Sequence, residues 1–238
     1  MDPAVFIRRN TTIAASPLVP EIRLHLATEI TPIWQATEES LARGAVPPPF
    51  WAFAWAGGQA LARYLLDHSD EVAGRFVLDF AAGSGLVALA AAKAGAARVL
   101  AADIDPFAAA AIAANAALNG VNIAVTTADL IGTADRRWKI ITAGDVCYEQ
   151  PMADQVIAWL RSLARSGCVV LLGDPGRAYL PAHGLHERAR YVVPTSRELE
   201  DRESRDGIVW EVMADWTRNS AGEQGFEKEA KDGSQSED

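Results

Sequence analysis

The amino-acid sequence predicts an α/β fold: a single domain built on a doubly wound, mostly parallel seven-stranded sheet with an antiparallel last strand. Three observations lead to it. From Arg75 onward, short β-branched or apolar runs alternate with helix-length stretches, which implies right-handed βαβ units around a parallel sheet. The first run, Val77-Leu-Asp79, passes at once into Phe80-Ala-Ala-Gly83-Ser-Gly85, the form of a strand tip feeding a helix N-terminus. Near the end, two strand-like stretches are joined by a short charged segment without helical periodicity, so they read as an antiparallel pair closing the sheet.

Taken in order, residues 18–27 alternate apolar and polar side chains in their second half and predict a short half-buried strand, with a helical or irregular segment to follow through Leu41. Pro47-Pro-Pro-Phe-Trp-Ala-Phe-Ala-Trp55-Ala-Gly57-Gly58 then sets prolines and aromatics before a glycine pair, and the helical pattern resumes over 60–67. Strand runs fall at 76–78, 98–102, 123–127, 139–143 and 168–173; helices are expected at 86–94, 106–118 and 152–163, the second opening on Pro106, where a first-turn proline is tolerated. The closing pair is 189–193 and 208–214. Residues 1–45 therefore read as an N-terminal extension and 46–216 as the main domain. The tail, 217–238, is Gly, Ser, Glu and Lys rich and is expected to be disordered.

Composition narrows the function. With 238 residues, 50% hydrophobic and 22% charged, the chain has the profile of a soluble globular protein. No apolar run approaches the roughly 20 residues of a membrane helix, and the start, Met1-Asp-Pro-Ala-Val-Phe-Ile-Arg-Arg, lacks a basic-then-apolar leader, so a cytoplasmic location and no membrane partner are expected. A net charge of −9 argues against a nucleic-acid partner, whose phosphates need a basic surface. Cys147 and Cys168 belong to no C-x-x-C pair and are expected to be reduced thiols. The four histidines lack metal-ligand spacing, so no metal is expected. A G-x-S-x-G elbow and the lysine of a phosphate-binding loop are both missing, which sets aside hydrolase and triphosphatase readings.

The candidate site residues lie at successive strand tips. Gly83-Ser-Gly85-Leu-Val-Ala88 satisfies the dinucleotide fingerprint, yet Asp79, four residues before Gly83, is equally the acidic-plus-glycine turn of enzymes that use S-adenosylmethionine. Asp103 ends the second strand 24 residues after Asp79 and is placed to accept both hydroxyls of a ribose, while Asp105 reads as the cap of the helix at Pro106. Asp129, followed by Leu130, ends the third strand, where it would either bind an adenine amino group or cap the turn. Asp145 and Tyr148 stand three residues apart after the fourth strand, where a parallel-sheet enzyme presents groups to its substrate.

In order, these features resemble a seven-strand methyltransferase, and specifically the protein-lysine branch marked by an Asp-x-x-Tyr motif after the fourth strand, here Asp145-Val-Cys-Tyr148. The lead-in to Gly58 and the turn Gly173-Asp-Pro-Gly-Arg177 look like the enzymes that methylate the β-subunit of electron-transfer flavoprotein. The resemblance implies S-adenosylmethionine as cofactor and that flavoprotein subunit as partner. It would place Trp55 and Gly58 beside the methionine end of the cofactor, Asp79 at its amino group and Gly83 where room is needed. Ala81, Gly85, Asp103, Ile104, Asp129, Leu130 and Asp145 would complete the cofactor site. Asp145 would orient the incoming amine or stabilise its cationic form, and Tyr148 would shape the pocket or supply a π face. The family's loop commonly has Gly where this chain has Ala81, and Ala tolerates the close approach only while its φ stays negative. Asp103-Ile-Asp-Pro and Asn115-Ala-Ala-Leu-Asn119-Gly are shared with methyltransferases of ribosomal proteins, which keeps those and small-molecule N-methyltransferases as alternatives. A nicotinamide-dependent oxidoreductase and a binding module with a vestigial site are the rivals from other classes.

Overall fold

In the computed structural model the described residues are 2–27, 33, 48–195 and 197–214, the side chains of 198 and 199 excepted. The expected segment through Leu41 and the tail beyond 216 lie outside them. The chain opens with helix α1 (Pro3–Asn10), whose N-cap Asp2 accepts from the Ala4 N–H at 2.8 Å. A hairpin follows, β1 (Thr12–Ser16) antiparallel to β2 (Val19–Leu26). The sequence pattern had placed β2; α1 and β1 were not anticipated.

A 3₁₀ turn (Phe50–Ala52) leads into α2 (Ala56–Asp67). Then β3 (Phe76–Phe80), α3 (Leu86–Lys93), β4 (Arg98–Ala102), α4 (Pro106–Asn119) and β5 (Ala124–Thr126) alternate. They are followed by β6 (Ile140–Gly144), α5 (Met152–Arg165) and β7 (Val169–Asp174). The chain closes with β8 (Leu185–Pro194), the four-residue α6 (Arg197–Glu200) and β9 (Ser204–Val212). The seven-stranded sheet has the order β5-β4-β3-β6-β7-β9-β8, with every pairing parallel except the two made by β9. This is the expected sheet with its antiparallel last strand.

Helices cover both faces of the sheet, which is why its strands read as continuous apolar runs rather than alternating ones. Val77, Ile140 and Leu171 point into a core shared with α2 and α3, whereas Leu78, Ile141 and Leu172 point into one shared with α5. The N-terminal segment is fastened to this body: Phe6 meets the Phe107 ring edge-on at 5.4 Å, and Asn115 and Asn119 of α4 accept from the backbone of β2 at His25 (2.8 Å) and Arg23 (3.1 Å). Asp105 caps α4 as expected, accepting from the Phe107 N–H at 2.8 Å.

One boundary differs from expectation. Helix α2 starts at Ala56, four residues before its predicted beginning, so Gly57 and Gly58 lie inside its first turn. Glycines usually mark turns, but here they let a helix touch a sheet backbone to backbone. A Cβ on Gly57 would meet the Gly173 carbonyl, and one on Gly144 would lie 3.1 Å from the Gly58 Cα. The closeness of the layers, rather than local propensity, decides the assignment.

Candidate active site

The chain runs outward from β3 to β4 and β5, then returns to the other side of β3 as β6. Adjacent strand tips of β3 and β6 therefore face loops that leave in opposite directions, opening a crevice at the carboxyl edge of the sheet. Trp55, Gly58, Asp79, Ala81, Gly83 and Asp145 all line this cleft, together with Phe53 and Ser84. A Cβ at Gly58 would meet only Val87 Cγ2 at 4.0 Å, and one at Gly83 only the Trp51 Cα at 3.9 Å, so both glycines face room rather than protein.

On the β3 side, Asp79 is buried and both its oxygens are held: Oδ1 accepts from the Thr142 hydroxyl at 2.8 Å and Oδ2 from the Ala88 N–H at 3.0 Å. Ala88 is the third residue of α3, so Asp79 satisfies one of the orphan donors of that helix start. Burial dominates its titration and pushes the carboxyl up to about 7 against these hydrogen bonds. In the loop beyond, Ala81 has φ 53°, Gly83 φ 53° and Gly85 φ 79°. The negative φ on which an easy fit of Ala at this position depended is therefore absent. The loop takes the glycine-like path, with the Ala81 Cβ carrying the strain of left-handed backbone. Asp103 Oδ2 accepts from the Gly83 N–H at 2.9 Å and its Oδ1 from the Asp105 N–H at 3.0 Å. Asn115, fully buried, donates to the Ser84 carbonyl at 2.8 Å and so anchors the loop to β2 through α4.

On the β6 side, Asp145 stands in left-handed backbone at φ 55°. Its N–H donates to the Gly173 carbonyl at 2.8 Å, and its Oδ2 accepts at 2.9 Å from Gly58 N–H, an orphan donor of the α2 start. Its Oδ1 takes both Nε (3.1 Å) and a terminal nitrogen (2.7 Å) of Arg177. Burial raises the Asp145 carboxyl to about 6, with Arg177 opposing. The Arg177 guanidinium also lies 5.6 Å from the centre of the Trp55 ring, whose indole N–H donates to the Phe50 carbonyl at 2.8 Å.

The remaining candidates stand away from the cleft lining. Asp129 is exposed and accepts from the Ile131 N–H at 3.0 Å, the turn-capping alternative, and Leu130 packs toward the α5 core. Ile104 is 71% exposed. Gly85 supports the loop from behind, where a Cβ would press on Ile112 at 3.1 Å. Tyr148, 41% exposed, stacks edge-on against Phe50 at 5.6 Å on the rim. Cys147 and Cys168 are free, and burial pushes the Cys147 thiol up to about 12. Among the described residues no His, Cys, Asp and Glu cluster suits a metal ion, and no helix is long and apolar enough to cross a membrane.

Sequence reasoning passed over Thr142, Glu200 and the connecting roles of Asn115 and Arg177. Arg177 had stood out only as the end of a turn; nothing in its spacing ties it to Asp145. Thr142, in a strand of apolar neighbours, was the one polar residue that a buried acid on the adjacent strand would call for.

Known proteins share this architecture and more. The profile of the ribosomal protein L11 methyltransferase (PrmA) family matches residues 59–154. A candidate RNA methyltransferase of Pyrococcus horikoshii superposes with a TM-score of 0.51 at 15% identity, covering 77% of this chain and 100% of that one, a likeness of fold. The electron transfer flavoprotein beta subunit lysine methyltransferase of Xenopus laevis is 40% identical, covering 87% of this chain and 86% of the relative. The human protein of the same name is 36% identical, covering 88% and 80%. The chain belongs to the electron transfer flavoprotein beta subunit lysine methyltransferase family.

Proposed function

We propose that this protein transfers a methyl group from S-adenosylmethionine to lysine side chains of the β-subunit of electron-transfer flavoprotein. The observation that carries the reading, beside family membership, is how the backbone donors of the glycine loop and of the α3 start are used. The Ala88 and Gly83 N–H groups, where a dinucleotide would seat its pyrophosphate, are occupied by the carboxylates of Asp79 and Asp103. A polyanion would meet two acids there. A ligand with a cationic amino end and a ribose meets complementary groups.

The cofactor supplies a methyl already activated on a sulfonium, so the residues of the chain have mainly to bind, align and exclude water. Asp79 and the 81–85 loop would receive the amino-acid end, Trp55 would cover it, and Asp103 would take the ribose hydroxyls. Asp145 has three hydrogen bonds on a carboxylate with about four acceptor sites, which leaves one for an incoming amine. Tyr148 and Phe50 would guide the aliphatic stem of that lysine at the rim. The proton lost by the ammonium leaves to water, since the described site contains no separate base aimed at it.

The test is transfer of labelled methyl from S-adenosylmethionine to purified flavoprotein β-subunit, with the modified peptide identified by mass spectrometry. Labelled lysine in that subunit is the expected result. Label in ribosomal protein L11 alone, or none in either, would overturn the assignment.

A further inference from the structure

The connection between β8 and β9 carries an acid that reaches back to the β6 side of the cleft. Glu200, in the four-residue α6, has a side chain 1% exposed, although that stretch reads in sequence as a solvated charged loop. Its two oxygens take Arg177 at 2.7 and 2.9 Å, and Arg205 at the start of β9 closes on it at 3.0 Å. The other edge of the Arg177 guanidinium is the edge that grips Asp145, and its face lies over Trp55. One planar group therefore joins the Asp-x-x-Tyr loop, the aromatic wall of the cleft and the last crossover of the sheet.

We infer that Arg177, braced by Glu200, is a positioning residue for methyl transfer, fixing the Asp145 carboxylate in the orientation and the ionised form that receive the substrate amine. The inference rests on the methyl-transfer reading given above. Two features of the geometry support it. Asp145 occupies left-handed backbone, a conformation that a non-glycine residue keeps only where its surroundings hold it. Two N–H groups of one planar guanidinium converge on Asp145 Oδ1 while the fork onto both Glu200 oxygens holds that plane, which fixes direction as well as charge. The charge balance also needs it. The groups facing Asp145 are Arg177, the buried Asp174 and the Cys147 thiol, with Glu200 and Arg205 beyond the guanidinium. Asp174 uses Oδ1 for the N–H groups of Gly176 and Arg177, both at 2.7 Å, while its buried Oδ2 has no protein partner. Without Arg177, Asp145 would face the buried Asp174 with no compensating charge, which favours its protonated form.

The experiment compares wild type, Arg177→Met, Arg177→Lys and Glu200→Gln in steady-state methyl transfer to the flavoprotein β-subunit across a pH series, with thermal melting as a fold control. Wild type must transfer first; if it does not, the methyl-transfer reading fails and the variants are not reached. For Arg177→Met, we expect kcat to fall on the order of tenfold to a hundredfold with little change in KM, and the acid limb of the kcat profile to move up by about 1 to 3 pH units. Arg177→Lys should return the limb toward its wild-type position while kcat stays low, because charge is restored without the fork. A folded Arg177→Met enzyme whose acid limb coincides with wild type overturns the proposal. If Arg177→Met does not fold, Glu200→Gln decides, since it loosens the brace without touching Asp145. A lowered kcat with an upward-shifted limb supports the inference, and an unchanged profile overturns it.

Discussion

Thr142 of β6 donates its hydroxyl to Asp79 of β3 at 2.8 Å, joining by a side chain two strands that the sheet already pairs, at the point where the cleft opens. With the Ala88 N–H on the other oxygen, this bond fixes the acid in the lining of the cleft. It also makes the site pH-sensitive in a definite direction. The unfolded chain loses this proton near its ordinary value of 3.8, whereas the folded chain keeps it up to about 7. The contribution of Asp79 to stability is thus fullest below the unfolded value and declines as pH rises through that window.

A ligand whose amino group favours the ionised acid should bind more tightly as pH rises. S-adenosylhomocysteine affinity, measured by calorimetry, is expected to increase about tenfold between pH 6 and pH 8, following ionisation of a group with a value near 7. Asp79→Asn should weaken binding and flatten the dependence. A flat wild-type profile would show that Asp79 does not meet the ligand charge.

Ala81→Gly tests the loop. Left-handed backbone costs an alanine about 1–2 kcal/mol, and the greater unfolded-chain entropy of glycine offsets about 0.4–1 kcal/mol of the relief. Urea denaturation should show a net gain of about 0.5–1 kcal/mol with cofactor binding retained. A loss of stability would mean that the Ala81 methyl makes a contact worth more than the strain at φ 53°.

How much of this was readable from the chain depends on range. The sheet, its crossovers and the acidic strand tips follow from patterns a few residues long, so Asp79, Asp103 and Asp145 could be placed at one edge without coordinates. The use each acid makes of its oxygens could not be read. Asp145 meets Gly58 and Arg177 across separations of 87 and 32 residues, and no local pattern encodes either. Asp129 shows the converse: its strand-tip position was legible, but in the structure its carboxylate is used by the Ile131 N–H two residues on. The start of α2 was misplaced for a related reason, because a glycine pair signals a turn until a sheet presses against it.

Glycine substitutions should separate close packing from backbone strain. Gly57→Ala would set a Cβ against the Gly173 carbonyl and 2.6 Å from Asp145 Oδ2, and should cost about 3 kcal/mol or prevent folding. Gly120→Ala, at φ 66° with nothing within 4 Å, should cost only about 1 kcal/mol. Equal losses in thermal melts would remove the case for a tight helix–sheet contact.

Asn115→Ala should act at a distance. It orphans the Ser84 carbonyl and the His25 N–H, each an expense of about 1–3 kcal/mol where no water replaces the amide. Hydrogen exchange of the 81–85 loop is expected to quicken, and S-adenosylhomocysteine affinity to drop. Unaltered exchange in that loop would mean that α4 does not hold it.

The backbone contact of Gly57 and Gly58 with Gly144 and Gly173 also divides the molecule for anyone wishing to redirect it. Side chains can be repacked, but a seam made of main chain has no rotamers to adjust, so a randomised library gains nothing there except misfolded members. Diversity is better placed at Phe50 and Tyr148, whose rings meet on the exposed rim. Under the proposed function, changes there would alter which protein surface is accepted and leave the residues assigned to the methyl donor intact.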